Sequence, residues 1–104
     1  MLQPDVGRAG GLDVCREVSR RAARAGVWCV PHCFGTGVNL AASLQWMASA
    51  DEAPFIEFPL SDSDLRNKLV MNAPKRVDGW VLIPEDPGLG VSIDEDVVRR
   101  HRQA

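Results

Sequence analysis

The apolar and polar positions of this chain follow two periods, one of strands and one of helices. Residues 27–31 (Val27, Trp28, Cys29, Val30, Pro31) are a continuous apolar run, long enough for a buried strand and too short for a helix. The run delivers His32 to a turn bracketed by Gly35 and Gly37, where the backbone is free to bend before the next element. Residues 1–5 open apolar and turn polar at Gln3, Pro4 and Asp5, which reads as a strand whose beginning is missing. A chain that opens in mid-strand carries the expectation that the protein starts upstream of Met1. Over 12–25, Val14, Cys15, Val18 and Ala22 recur at helical intervals, opposite Arg16, Arg20, Arg21 and Arg24, and Gly26 supplies the stop. Over 38–50, Leu40, Ala41, Leu44, Met47 and Ala48 predict a second helical stripe with Trp46 at its edge. Asp51, Glu52, Ala53 and Pro54 break that helix, and 55–58 read as a short buried strand closed by Pro59.

The order strand, helix, strand, helix, strand, with short links, predicts an α/β fold of parallel strands and right-handed crossovers. After Leu60 the character changes. Ser61, Asp62, Ser63 and Asp64 form a polar turn with helix-capping residues, and Asp78-Gly79 predicts a hairpin between 75–77 and 80–83. A loop over 84–90, a strand over 91–93 and a final helix capped by Asp94 and running to about Arg102 complete the pattern. Parallel sheets are normally buried on both faces. Three strands followed by only two helices cannot cover themselves, so the pattern predicts part of something larger.

Composition narrows the function. The net charge of −2 argues against nucleic acid and anionic membranes as partners, because such proteins carry a basic excess. No apolar run approaches the length of a membrane span. Three cysteines, Cys15, Cys29 and Cys33, in apolar surroundings and without a secretory leader, favour a reducing, cytoplasmic setting. Cys29, His32 and Cys33 could suggest zinc, yet no second ligand pair follows, so these thiols read as core packing. Gly7, Gly10 and Gly11 match neither the dinucleotide nor the P-loop spacing.

Three polar residues end the three successive strands: Asp5, His32 and Glu57. Strand ends of a parallel sheet or barrel share one face, so the three could meet in one pocket. A carboxylate beside an imidazole fixes its tautomer and raises its basicity, and a carboxyl kept protonated in a dry pocket can donate to a developing oxyanion. The alternatives are plain ones. His32 could be a satisfied core histidine, and Glu57 could reach solvent or a backbone amide.

Gln3 to Gly11, then Val30-Pro31-His32-Cys33-Phe34, Phe55-Ile56-Glu57, Ile83-Pro84 and Pro87-Gly88-Leu89-Gly90 together resemble the carboxy-terminal part of the enolase superfamily, in the mandelate racemase and muconate-lactonising-enzyme group. The resemblance implies a partial TIM-type barrel, its sixth to eighth strands with the two helices between them, over residues 1–74. It implies that 75–104 form the hairpin and helix that return to a capping domain absent from this chain. Asp5 and His32 match the dyad ending the sixth and seventh strands, and Glu57 the acidic residue ending the eighth. The implied cofactor is Mg2+, held by carboxylates on strands outside this chain, and the implied substrate is a carboxylate such as an acid sugar. Dehydration is the first expectation and racemisation or epimerisation the second, in a homo-oligomeric full protein. A barrel of this type needs roughly 250 residues, so the chain is expected to be inactive alone. The competing expectation is a truncated chain serving as a structural or interaction module through its open sheet edge.

Overall fold

The computed structural model describes residues 1–50 and 53–103. The break expected at Asp51 and Glu52 lies outside the described residues. Among the described residues four helices and one hairpin form, in the order α1 (Leu12–Arg24), α2 (Gly37–Ala48), α3 (Asp64–Asn67), β1 (Arg76–Val77), β2 (Trp80–Val81) and α4 (Glu95–His101).

The two long helices lie where their periodicity puts them. Cys15, Ser19 and Ala22 form the buried side of α1, while its arginines face solvent and Arg20 and Arg21 pair with Glu17. Val14, expected in the buried stripe, is exposed. The Thr36 hydroxyl caps α2 by accepting the Asn39 N–H, which satisfies one of the four free donors of a helix start. Trp46 corrects the reading of α2: it is only 1% exposed and belongs to the core, whereas Ala48 is exposed. A helix apolar around most of its circumference is buried on more than one side, so a single stripe understates its contacts. One cluster gathers Val6, Cys15, Cys29, Ala42 and Trp46 between the two helices. A second gathers Cys33, Leu40 and Leu44 with Ile56, Phe58 and Val81.

The expected strands are realised only in part. Residues 1–5 and 27–32 do run parallel, joined by Leu2 N–H to Trp28 O at 2.8 Å, Val30 N–H to Leu2 O at 3.0 Å and His32 N–H to Pro4 O at 3.1 Å. The regular pattern shrinks to one parallel bridge, Leu2 to Cys29, because Pro4 has no N–H to donate to Val30 O, the next bond of the ladder. Residues 55–58, expected as a third strand, form no strand or bridge. That segment is tied to the preceding one by a side chain: Glu57 Oε2 accepts the Cys33 N–H at 2.8 Å. The strand expected over 91–93 is likewise a single antiparallel bridge, Val70 to Ile93.

The hairpin follows its turn chemistry. Asp78 (φ 50°) and Gly79 (φ 85°) both take positive φ, the type I′ pattern that suits the twist of paired strands, and Arg76 faces Val81 while Val77 faces Trp80. Asp94 caps α4 by accepting the N–H groups of Asp96 and Val97. The polar turn with capping residues expected over 61–64 leads into the short helix α3, with Ser63 at its N-cap position.

The loop 84–90 folds back on itself at Gly90, which has φ +72° and whose added Cβ would overlap Pro84 Cβ. Gly88 also has positive φ, +76°, but nothing lies within 4 Å of its added Cβ. Gly88→Ala should therefore cost about 1 kcal/mol from backbone strain alone. Gly90→Ala should cost about 1–3 kcal/mol more from overpacking. Urea unfolding of the two variants measures the difference, and equal losses would contradict the close Pro84–Gly90 packing.

Candidate active site

Parallel pairing sets the site. Because the His32 N–H donates to Pro4 O, the residue after Pro4 and His32 leave the paired segments at the same level. Asp5 Oδ2 then lies 3.0 Å from His32 Nδ1. The other oxygen, Oδ1, accepts the Gly7 N–H at 2.8 Å and the Asn39 side-chain amide at 3.0 Å. Asp5 is 9% exposed, and a carboxylate so enclosed must be met by donors or become neutral. Burial alone would raise its pKa. The hydrogen bonds from His32, Gly7 and Asn39, together with the charge of His32, outweigh burial and hold Asp5 below its ordinary 3.8.

A carboxylate on Nδ1 makes that nitrogen the protonated one, which leaves Nε2 as the acceptor. Nε2 looks toward Glu57, whose Oε2 is 4.0 Å away. The His32 and Glu57 side chains are each 38% exposed, so this end of the dyad is open while the Asp5 end is closed. Glu57 fulfils the plain expectation as well, since the same oxygen is bound to the Cys33 amide. The three residues picked out at strand ends are thus brought together, although only two of the strands pair.

Two further side chains, Asn39 and Arg66, were missed in the sequence. Asn39, near the start of α2, joins Asp5 to the Cys33 thiol, which donates to Asn39 Oδ1 at 3.2 Å. Burial pushes the Cys33 thiol up in pKa, so it stays a neutral donor. Arg66, 5% exposed, donates Nε–H to Pro59 O at 3.0 Å and Nη1–H to Gly35 O at 3.1 Å. Its guanidinium carbon sits 5.6 Å from the centre of the Phe58 ring. Arg66 therefore clamps the loop after His32 to the loop after Glu57. A polar amide inside the apolar run of α2 was a readable signal, because Asn is a poor helix former. Arg66 gave none, since arginine in a polar segment normally faces water.

The site does not fit a Mg2+ ion. Magnesium prefers near-octahedral oxygen ligands, whereas both oxygens of Asp5 are committed to N–H donors or to His32 and Glu57 holds an amide. Among the described residues no group of three or more His, Cys, Asp or Glu is placed to hold a metal ion. Also among them, no helix is long and apolar enough to cross a membrane.

Comparison with known proteins gives the context. Residues 1–97 match the family described as enolase C-terminal domain-like. A D-galactarolactone cycloisomerase from Agrobacterium fabrum is 34% identical over 110 aligned residues, covering 98% of this chain and 29% of that protein. An arabinonate dehydratase from Saccharolobus solfataricus is 29% identical over 102 aligned residues, covering 98% of this chain and 27% of that protein. Among solved structures, a mandelate racemase/muconate lactonizing enzyme from Jannaschia sp. CCS1 superposes with a TM-score of 0.88 at 29% identity, covering 99% of this chain and 26% of that one. The chain spans less than a third of the length of these relatives. With its first 97 residues matched to one family, the chain belongs to the enolase C-terminal domain-like family, in the mandelate racemase and muconate-lactonising-enzyme group of the enolase superfamily.

Proposed function

We propose that this chain carries the proton-transfer half of an acid-sugar dehydratase. The observation that carries the reading is the 3.0 Å approach of Asp5 Oδ2 to His32 Nδ1 with Nε2 left open. A hydrogen α to a carboxylate is weakly acidic, so its removal needs a positioned base and stabilisation of the enediolate that forms. His32 Nε2 takes that proton, or returns one to the departing β-hydroxyl. Asp5 fixes the tautomer and stabilises the imidazolium produced. Glu57, held by the Cys33 amide, is positioned to hydrogen-bond a substrate oxygen when protonated. The dehydratase and cycloisomerase among the relatives support an acid-sugar substrate. Any Mg2+ used in the reaction is held by groups outside this chain.

In the same reading, residues 1–74 are part of a barrel and 75–104 the segment that returns to a capping domain. Exposed apolar side chains support this, among them Trp28 within the second paired segment and Trp80 and Leu82 on and beside the hairpin. Apolar surface of that extent marks a contact face. The three free, buried thiols support a reducing cytoplasmic setting.

In the full protein that carries this chain, His32→Asn should lower exchange of the substrate α-hydrogen in deuterated water by about 10²- to 10⁴-fold. Unchanged exchange would remove His32 from the mechanism. Asp5 gives a second expectation, through stability. A carboxyl held below its ordinary 3.8 adds stability that is present above that value and is lost as pH falls through the depressed one. Urea unfolding from about pH 5 downward should show the wild type losing stability more steeply than Asp5→Asn. Parallel pH dependences would contradict the depressed ionisation.

A further inference from the structure

We infer that Asn39 is a positioning residue for the proposed dyad: it holds Asp5 Oδ1 so that Oδ2 faces His32 Nδ1. The inference rests on the proton-transfer reading above and adds to it a residue outside the three strand ends.

The side chain of Asn39 is fixed at both ends. Its Nδ2 donates to Asp5 Oδ1 at 3.0 Å and its Oδ1 accepts the Cys33 thiol at 3.2 Å. A flipped amide would set its oxygen against a carboxylate and its N–H groups against a thiol proton, so only one orientation satisfies both neighbours. The fold also closes around this residue from two loops. A Cβ added at Gly35 would lie 2.9 Å from Asn39 Cβ, and one added at Gly7 would lie 3.3 Å from Asn39 Nδ2. The loops after both paired segments therefore approach Asn39 as closely as glycine permits.

The electrostatic consequence follows from what else faces the pair. Arg8 Nε lies 3.9 Å from Asp5 Oδ2 but is mostly in solvent, where its influence is screened. Glu57 faces His32 Nε2 at 4.0 Å. The thiols of Cys33, and of Cys15 on α1, feel the Asp5 charge and are held neutral chiefly by burial. Asn39 is thus the side chain that brings a positive dipole end to the enclosed oxygen of Asp5. Part of the carboxylate charge is spent on that donor, so the pull of Asp5 on the imidazolium is weaker than that of a bare carboxylate. Removing the donor should raise the proton affinity of Asp5 and free its carboxylate to turn away from His32.

The test reads His32 directly. The chain has two histidines, and His101, bonded to Val97 O on α4, serves as the internal reference. Ring-nitrogen NMR shifts of the neutral imidazoles should show the Nδ1–H preference of His32 weakened in Asn39→Leu, because a carboxylate no longer held at Oδ1 turns away from Nδ1, with the His101 signals unmoved. Asn39→Ala, which leaves room for a water to donate in place of the amide, should give a smaller change and covers the case in which the leucine variant does not fold. Unmoved His32 shifts in the folded variants would overturn the inference, because a merely structural role lowers stability without changing the tautomer. If the wild-type protein exchanges no α-hydrogen yet the preference weakens, the proton-transfer reading fails and the positioning by Asn39 stands. If exchange is present and the preference is unchanged, the reverse holds.

Discussion

A carboxylate enclosed at the end of a paired segment constrains everything near it. Asp5 is shut away from water, and an unmet charge in such a place costs several kcal/mol. The surrounding chain is arranged to meet it from three directions: the Gly7 amide from its own loop, the Asn39 amide from α2, and the His32 ring from the neighbouring segment. None of these donors is placed by Asp5 itself. His32 is brought level by the backbone bond to Pro4 O, and Asn39 by the Thr36 cap that starts α2 at the right residue. The chemistry proposed for His32 depends on this arrangement, since the imidazole has a defined free nitrogen only while Asp5 stays ionised and in place.

The open side of the dyad is organised by different forces. Glu57 is anchored through the Cys33 amide, and Arg66 ties the two loops beyond them to one another through backbone carbonyls. A buried guanidinium with Nη2 unpartnered among the described residues is an expensive clamp, and its stacking on Phe58 recovers only part of the cost. Among the described residues, segments 1–5 and 27–32 pair with one another alone and the hairpin bears an exposed Trp80, in a chain that belongs to the enolase C-terminal domain-like family and spans less than a third of the length of its relatives.

The sequence made the polar strand ends and the turns legible because their chemistry is local. Asp5, His32 and Glu57 stand out as charges or a titratable ring at the limits of apolar runs, and Asp78-Gly79 and Asp94 act within four residues of themselves. Features set by tertiary contact were hidden. The run 55–58 has the composition of a strand, yet within the described chain no backbone pairs with it as a neighbouring strand, and a side chain makes the link instead. Trp46 looked marginal on a helical stripe and became central because α2 is covered on several sides. Asn39 and Arg66 matter through groups at least 31 residues away along the chain for their longest links, a separation no local pattern records.

The central claim is that Asp5 holds His32 protonated on Nδ1 and leaves Nε2 free to exchange a proton. Ring-nitrogen NMR shifts of His32, recorded with the ring neutral, test this most directly. The account predicts a protonated Nδ1 and a bare Nε2, with that preference weakened in Asp5→Ala. A His32 found mainly as the Nε2–H tautomer in the wild type would contradict it.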